Sequence, residues 1–126
     1  MKNTLCKEER LCSKILIDSL FLSKDKLKFT EYPWMVMAKE VELDSNYPAQ
    51  VMISVSKRKI RLAVNRNKIK RKGKEAYRLN KSILYNSLEK RNKKMILCFI
   101  YLEKKPLPYA VLEQKIIVLL NRLTKE

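Results

Sequence analysis

The residues from Val55 to Lys81 read VSKRKIRLAVNRNKIKRKGKEAYRLNK. Lysine and arginine occupy eleven of the 22 positions from Lys57 to Arg78, and Glu75 is the only acidic residue there. A cationic run of this density repels itself and stays disordered unless a fold or a bound anion organises it. The fold of the chain therefore depends on the structure that this stretch adopts.

The stretch has the periodicity of an amphipathic helix. At about 100° per residue, one side collects small and apolar residues, which are Leu62, Ile69, Gly73, Ala76 and Tyr77. Another side collects basic and polar residues at spacings i, i+3, i+4, i+7 and i+11, which are Asn67, Lys70, Arg71, Lys74 and Arg78. We expect the apolar side to pack on a core and the cations to face solvent. A row of cations of this length suits a polyphosphate better than a single phosphate.

Length and composition limit the class of protein. Residues 1–126, of which 46% are hydrophobic, are expected to form a single domain with its own core. The net charge of +16 makes nucleic acid the leading partner class, with an anionic membrane surface or a merely soluble basic protein as alternatives. No apolar run reaches the roughly 18 residues of a membrane span, and residues 1–10 lack a signal-peptide pattern. These features favour a cytoplasmic protein that does not contact a membrane.

Side chains that usually carry enzymatic chemistry are scarce. The chain has no histidine, so it lacks the usual general base near neutral pH and the commonest metal ligand. Its thirteen carboxylates are scattered, without the clustering that a two-metal nuclease needs. Cys6, Cys12 and Cys98 form no CxxC pair and are expected to be free thiols. We therefore predict no catalytic residue, no metal site and no cofactor on the protein itself.

Hydrophobic patterns predict the elements that precede the basic stretch. A first helix is expected from Glu8 to Leu22. Its broad apolar face comprises Leu11, Cys12, Ile15, Leu16, Ile17, Leu20 and Phe21. Strands at 32–39 and 50–55 are expected to form an antiparallel pair, joined by turn residues at 44–48.

The elements after the basic stretch are predicted in the same way. The basic helix either continues past Lys81 or kinks and restarts there, as far as a polar loop at 89–94. Residues 95–102 (MILCFIYL) are apolar at every position, which predicts a central strand covered on both faces. It should lie parallel to the strand that precedes the basic helix. A final helix at 109–123 has a core stripe of Leu112, Ile116, Leu119, Leu120 and Leu123.

The most specific signal is Arg66-Asn67-Lys68, followed by Ile69-Lys70-Arg71. Arginine offers a planar fork of donors to phosphate oxygens, and lysine offers a mobile point charge. Asparagine can hydrogen-bond a sugar or a base edge. A helix repeats these groups every turn, so successive cations can meet a folded nucleic-acid backbone. The alternative is a charged face that is only solvated.

The residues around this motif resemble the protein subunit of bacterial ribonuclease P. In that family a strand ending in V-S-K leads through A-V-x-R-N-x-x-K-R into a basic helix. The matching residues here are Val55-Ser56-Lys57, Ala63-Val64, Arg66-Asn67, Lys70-Arg71 and Glu75-Ala76. The resemblance implies an α+β fold, a two-layer α/β sandwich with about four mixed strands and three or four helices. It also implies that the basic helix lies in a left-handed βαβ crossover. The fourth strand is not placed by the hydrophobic pattern, and its candidates are Val41–Leu43 or a hairpin in a segment that reads as loop.

The resemblance also implies a function and partners. Proteins of this family join a large catalytic RNA, one protein per RNA, and that RNA removes the 5′ leader of precursor tRNA with bound Mg²⁺. The protein screens the charge of the RNA and holds the leader in a cleft between the first helix and the sheet. The lack of a catalytic constellation in this chain agrees with that division of labour.

Site residues follow from the match to the family motif. Those expected to face the catalytic RNA are Arg66, Asn67, Lys70, Arg71 and Lys74. Auxiliary phosphate contacts are expected at Lys57, Arg58, Arg61 and Arg78. Lys68 stands where the family often has arginine, so the charge is kept but part of the bidentate fork is lost.

The leader cleft departs further from the family pattern. Two aromatic residues four apart on the first helix are replaced here by Ile17 and Phe21. Phe29, Tyr32 and Trp34 are candidates for the missing stacking surface, since a stacked base contributes about 1–3 kcal/mol. For Phe21 and Trp34 an ordinary core position is the alternative.

Two other classes of function stay open at this point. The chain could be a ribosomal or other structural RNA-binding protein with no catalytic association. It could also be a DNA-binding module with the basic helix in a major groove, although it has neither helix-turn-helix spacing nor a dimerising heptad.

Overall fold

The computed structural model describes residues 5–43 and 46–125. Its helices are α1 (Lys14–Leu22), α2 (Ala63–Asn80), α3 (Ser82–Arg91) and α4 (Tyr109–Thr124), and a short 3₁₀ turn lies at Lys7–Glu9. Its strands are β1 (Leu27–Glu31), β2 (Trp34–Glu40), β3 (Ala49–Val55) and β4 (Met95–Tyr101). The α+β class and the four-stranded mixed sheet are thus confirmed. Two of the expected turn residues, Asp44 and Ser45, lie outside the described residues.

The four strands form one sheet in the order β1-β2-β4-β3. β1 and β4 pair antiparallel with β2, whereas β3 pairs parallel with β4. The central position predicted for β4 is confirmed, because its residues 95–99 are all buried. The direct pairing expected between β2 and β3 is wrong, since β4 lies between them. A strand that is apolar on both sides is favoured in the middle of the sheet, where both of its faces are removed from water.

The fourth strand is β1, which forms a hairpin with β2 across Tyr32 and Pro33. It lies partly in a segment that reads as loop, which was one of the two candidates, whereas Val41 and Leu43 are not in a strand. Leu27 and Phe29 pack against the main core, and the residues between them point the other way. Such alternation over five residues is a weak signal, which is why the sequence left this strand unplaced.

Helices α2, α3 and α4 cover one face of the sheet and form the predicted sandwich with it. The core stripe predicted for α4 is confirmed, because all five of its residues are completely buried. On α2 the predicted inner side is also buried at Ile69, Gly73, Ala76 and Tyr77. Leu62 was expected on that side, but it precedes the first helical residue and is 62% exposed.

α2 ends at Asn80 and α3 begins at Ser82, so the basic helix restarts rather than continues. The two helices connect β3 to its parallel neighbour β4, as expected. The left-handedness of this crossover stays a prediction. α3 ends at Arg91, and the next residue, Asn92, has a φ of 52°, the left-handed conformation typical of helix ends.

α1 covers part of the other face of the sheet. It begins at Lys14 rather than at Glu8, because Glu8 and Glu9 belong to the separate 3₁₀ turn. Only Leu20 of this helix is buried, and Ile15 is 81% exposed. The apolar face predicted for the first helix is therefore wider than the face that the helix buries.

Candidate nucleic-acid interface

The outer side of α2 carries one asparagine and four cations that we call the basic ridge, formed by Asn67, Lys70, Arg71, Lys74 and Arg78. Asn67, Arg71 and Lys74 are exposed, while Lys70 and Arg78 are half-buried at the margin. At 100° per residue, Asn67, Arg71, Lys74 and Arg78 lie within about 60° of one another, opposite the buried side of the helix. The structure thus brings the predicted ridge together on one face.

Two arginines, Arg66 beside the ridge and Arg78 within it, have partners within the protein. The Nη1 of Arg66 donates to the carbonyl oxygens of Ile60 at 3.0 Å and Arg61 at 2.8 Å. These bonds tie the start of α2 to the loop before it. The Nε of Arg78 donates to Glu75 at 3.0 Å, a hydrogen bond that lowers the pKa of the Glu75 carboxyl. Both arginines therefore shape the local structure, and Arg71 and Lys74 are the exposed cations of the ridge.

A second cationic surface lies at the N-terminal end of α2. Lys57, Arg58 and Arg61 are exposed in the loop between β3 and α2. No side chain caps the first turn of α2, and that turn holds no acidic residue. The positive end of the helix dipole therefore adds to the charge of the loop.

The loop between β4 and α4 extends this second surface. Arg58, Arg61, Lys104 and Lys105 line a concavity of about 320 Å³ between the two loops. The Nζ of Lys59 joins the loops by donating to the carbonyl oxygen of Leu102 at 2.9 Å. Sequence reasoning missed Lys104 and Lys105. The parallel pairing of β3 and β4 was the available signal, because the carboxyl ends of parallel strands meet at one edge of a sheet.

The face of the sheet under α1 is the expected position of the leader cleft. Its apolar cluster consists of Leu11, Leu20, Met37, Ile96 and Cys98, with Leu16, Ile17, Val41, Leu43, Met52 and Ile100 partly buried around it. Ile17 therefore contacts this face as expected. Phe21 is 42% exposed at the end of α1, and Tyr32 is exposed in the β1–β2 turn. The Tyr32 hydroxyl bonds to Glu103, which raises the pKa of Tyr32.

The assignment of Trp34 to this cleft is wrong. Its ring is completely buried on the opposite face of the sheet. It packs edge-on against the ring of Tyr101, with 5.1 Å between the two ring centroids. Side chains alternate along a strand, and on β2 it is Met37 that lies in the cluster under α1. Trp34 instead packs under Gly73, where an added Cβ would lie 3.1 Å from its Cη2 atom. The core alternative is thus the correct interpretation of Trp34.

The sequence of residues 5–124 matches the model of the family described as Ribonuclease P. The chain belongs to this family. It is 38% identical over 90 residues to the ribonuclease P protein component of Porphyromonas gingivalis, which covers 69% of this chain and 62% of that protein. It is also 34% identical over 104 residues to the corresponding component of Chlorobaculum tepidum, covering 79% of this chain and 68% of that protein. The match to Porphyromonas gingivalis thus spans about three fifths of the relative's length.

Solved structures of ribonuclease P proteins share the fold. The protein from Staphylococcus aureus superposes with a TM-score of 0.69 over 91% of this chain and 94% of that chain, at 19% identity. The protein from Thermotoga maritima gives a TM-score of 0.68 over 90% of this chain and 96% of that chain, at 23% identity. At these identities the likeness concerns the fold alone.

In the part of the chain that the structure describes, no helix combines the length and the apolar character needed to cross a membrane. Within the same residues, no three side chains of the metal-binding types come together as a possible metal site.

Proposed function

We propose that this protein is the protein subunit of a ribonuclease P ribonucleoprotein, part of an endoribonuclease that matures the 5′ ends of tRNA. It binds the catalytic RNA and the leader of precursor tRNA and assists removal of that leader. The reaction itself, with its Mg²⁺ ions, belongs to the RNA subunit. We also propose that the protein acts in the cytoplasm, with one copy per RNA.

The observation that carries this proposal is the basic ridge on a rigid body of the ribonuclease P fold. Arg71 and Lys74 project from a helix whose other side is locked to the sheet at Ile69 and Gly73. Cations held at fixed spacing bind a folded phosphate backbone with less loss of side-chain and chain entropy than cations on a flexible tail. A-form RNA has a major groove too narrow for a helix, so the ridge is expected to contact phosphates and shape rather than bases.

The face under α1 is the proposed binding surface of the leader. The sheet residues that point to this side include Met37, Met52 and Ile100. Thioether and aliphatic side chains can pack against an unpaired base without reading its identity. Ile17 and Phe21 supply the adjoining surface from α1.

Reconstitution with a bacterial ribonuclease P RNA tests the proposal. At low Mg²⁺, leader removal from precursor tRNA should need both the RNA and the protein. The variant Arg71→Ala/Lys74→Ala should raise the protein concentration required for half-maximal cleavage, because two phosphate contacts are lost. Tight RNA binding without any gain in leader removal would contradict the proposal and favour a structural RNA-binding protein.

A further inference from the structure

One charged cluster in the described residues lies away from both RNA surfaces and is almost completely buried. The Glu9 carboxylate accepts a bond from the Nζ of Lys81 at 2.5 Å and one from the Tyr85 hydroxyl at 2.6 Å. Its second oxygen accepts the backbone N–H of Cys6 at 3.2 Å. Glu9 is 1% exposed and Lys81 is 2% exposed. We call Glu9, Lys81 and Tyr85 the buried anchor.

The anchor joins two segments that are far apart in sequence. Lys81 occupies the break between α2 and α3, at the end of the helix that carries the basic ridge. Glu9 lies in the short turn that precedes α1. The anchor thus fixes the N-terminal segment to the helical layer that carries the ridge.

The chain passes from one layer to the other directly after Glu9. Arg10 pairs with Val51 at the free edge of β3, and the N–H of Leu11 donates to the Val51 carbonyl oxygen at 2.9 Å. Glu9 contacts the α2–α3 layer, whereas Leu11 belongs to the apolar cluster under α1. The segment therefore wraps around the edge of β3, with the anchor on one side and α1 on the other.

α1 itself has few contacts that fix its position. It has nine residues, of which only Leu20 is buried. A hydrogen bond of 3.0 Å from the Nζ of Lys39 to the Ser19 hydroxyl adds one polar contact with β2. The placement of α1 over the sheet therefore depends strongly on the segment that leads into it.

A buried ion pair is a poor source of stability, because the cost of removing both charges from water roughly cancels their attraction. Its geometry is nevertheless exacting, because separating the two groups would leave each charge buried without the other to offset its cost of desolvation. Such a pair is better suited to fix where a segment lies than to stabilise the fold as a whole. This is what a short helix over an open binding surface requires.

We propose that the buried anchor fixes the distance between α1 and the sheet. Glu9 and Lys81 are then positioning residues for the unpaired RNA strand that binds between α1 and the sheet. The inference rests on the proposed function, because it concerns the surface assigned to the leader. It adds that the position of α1 over this surface depends on a buried contact at the end of α2, outside both proposed RNA-binding surfaces.

The test uses the full chain in the reconstituted ribonucleoprotein, with Glu9→Gln, Tyr85→Phe and the exposed neighbour Glu8→Gln as control. Affinity is measured for precursor tRNAs with leaders of two lengths, one long enough to cross the cleft and one too short to enter it. The protein's affinity for the RNA subunit is measured separately. The long leader should bind more tightly than the short one. Glu9→Gln should reduce this gain in affinity about tenfold, the equivalent of one lost base-stacking contact. Tyr85→Phe, which removes the hydroxyl but keeps the Glu9–Lys81 ion pair, should reduce it less.

Hydrogen exchange at the Leu11 amide reports the anchor without RNA. This N–H should exchange faster in Glu9→Gln by a larger factor than the N–H groups of β4, whose exchange reports the loss of global stability. The double variant Glu9→Gln/Lys81→Met removes both charges of the ion pair and should recover folding stability without recovering the gain in affinity from the long leader. If Glu9→Gln does not fold, the double variant and Tyr85→Phe provide the same comparison.

Three results would overturn the inference. One is an unchanged gain from the long leader in a variant whose Leu11 amide exchanges faster. Another is an equal loss of affinity for the RNA subunit and for both leaders, which marks a purely structural role. The third is an equal effect of Glu8→Gln. A wild-type protein that shows no gain from the long leader would instead overturn the proposed leader-binding function, and the positioning role with it.

Discussion

At the scale of single residues, Gly73 sets how closely α2 lies on the sheet. A Cβ added there would lie 3.1 Å from Cη2 of Trp34 and 3.2 Å from Cγ2 of Ile53. The chain has one glycine, and it stands in the middle of a helix, where glycine costs about 1 kcal/mol relative to alanine. The close contact with a buried tryptophan explains why that cost is tolerated.

Replacing Gly73 by leucine should destabilise the protein by about 1–3 kcal/mol or more, because a large side chain overpacks the contact with Trp34. Gly73→Ala should change stability by less than about 1 kcal/mol, since the gain in helix propensity offsets the tight contact. Urea unfolding followed by the fluorescence of Trp34 measures both, with Lys68→Leu on the exposed side of α2 as control. Equal stabilities of Gly73→Leu and wild type would show that the helix is not held this close.

The buried carboxyl group of Glu9 should make the free energy of unfolding depend on pH. Burial disfavours its charge, but bonds from Lys81, Tyr85 and the Cys6 N–H outweigh burial, so its pKa lies below the ordinary value of about 4.5. A carboxyl with a lowered pKa in the folded state stabilises the protein above its unfolded pKa and loses that contribution as the pH falls.

Unfolding free energy should therefore decrease from pH 5 downward in the wild type, and less steeply in Glu9→Gln. At pH 7 that variant should be less stable by about 3–5 kcal/mol, because Lys81 loses its partner in the core. Chemical denaturation at a series of pH values measures both effects. Parallel pH curves for the two proteins would place the titrating group elsewhere.

Cys98 and Cys12 should differ in their reactivity toward an alkylating reagent. It is completely buried under α1, and burial raises its pKa to about 12, while Cys12 is exposed. At pH 8, iodoacetamide should modify Cys12 in the native protein and Cys98 only in denaturant, because the thiolate is the reactive form. Peptide mapping by mass spectrometry distinguishes them. Rapid native modification of Cys98 would mean that α1 leaves the sheet readily.

Residue assignments made from sequence succeeded where periodicity alone decides them. Ile69, Gly73, Ala76 and Tyr77 face the core because a helix repeats its sides every 3.6 residues. Trp34 was misplaced because an aromatic residue suits a core and a stacking surface equally well. Only the register of β2 tells the two apart, and that depends on its pairing with β4.

At the scale of elements, the basic ridge on α2 predicts how binding depends on salt. Arg71→Ala should weaken binding to the RNA subunit and reduce the slope of log K against log salt by about one unit, because one phosphate contact is lost. Filter binding over a range of KCl concentrations measures the slope.

Lys90→Ala is a matched control for Arg71→Ala, because Lys90 is an exposed cation on α3, away from the ridge. It should leave the slope close to that of the wild type. Equal slopes in Arg71→Ala and wild type would remove Arg71 from the interface.

Elements with strong apolar patterns were predicted well. β4 and α4 agree with their predicted ranges to within a residue because their buried residues form unbroken patterns. The start of the first helix was predicted too early, since Glu8 and Glu9 resemble the acidic first turn of a helix. Glu9 instead pairs with Lys81, which is 72 residues away along the chain. No local pattern can indicate a partner at that separation.

At the scale of the whole molecule, the protein without RNA should not cleave precursor tRNA. It has no histidine, and its described residues hold no cluster of metal-binding side chains. Incubation of RNA-free protein with labelled precursor tRNA and Mg²⁺ should give no product, whereas addition of the RNA subunit should restore cleavage. Mg²⁺-dependent cleavage that survives nuclease treatment of the protein sample would place the chemistry on the protein.

The strand order was the part of the architecture least accessible from sequence. The pattern of each strand shows how many of its faces are buried, and this correctly placed β4 at the centre. It does not show which strands lie beside it, so β2 and β3 were paired with each other although both pair with β4. Neighbours in sequence are often neighbours in space, and here β4 is inserted between them.

One of the two central strands of this sheet, β4, is also the last strand to be synthesised. Until β4 has left the ribosome, the β1–β2 hairpin and β3 have no common partner and expose unpaired edges. The nascent chain therefore has to keep about three quarters of its length from aggregating before a sheet can close. A truncated product that stops before Met95 should be captured by chaperones or degraded rather than persist as a partly active fragment.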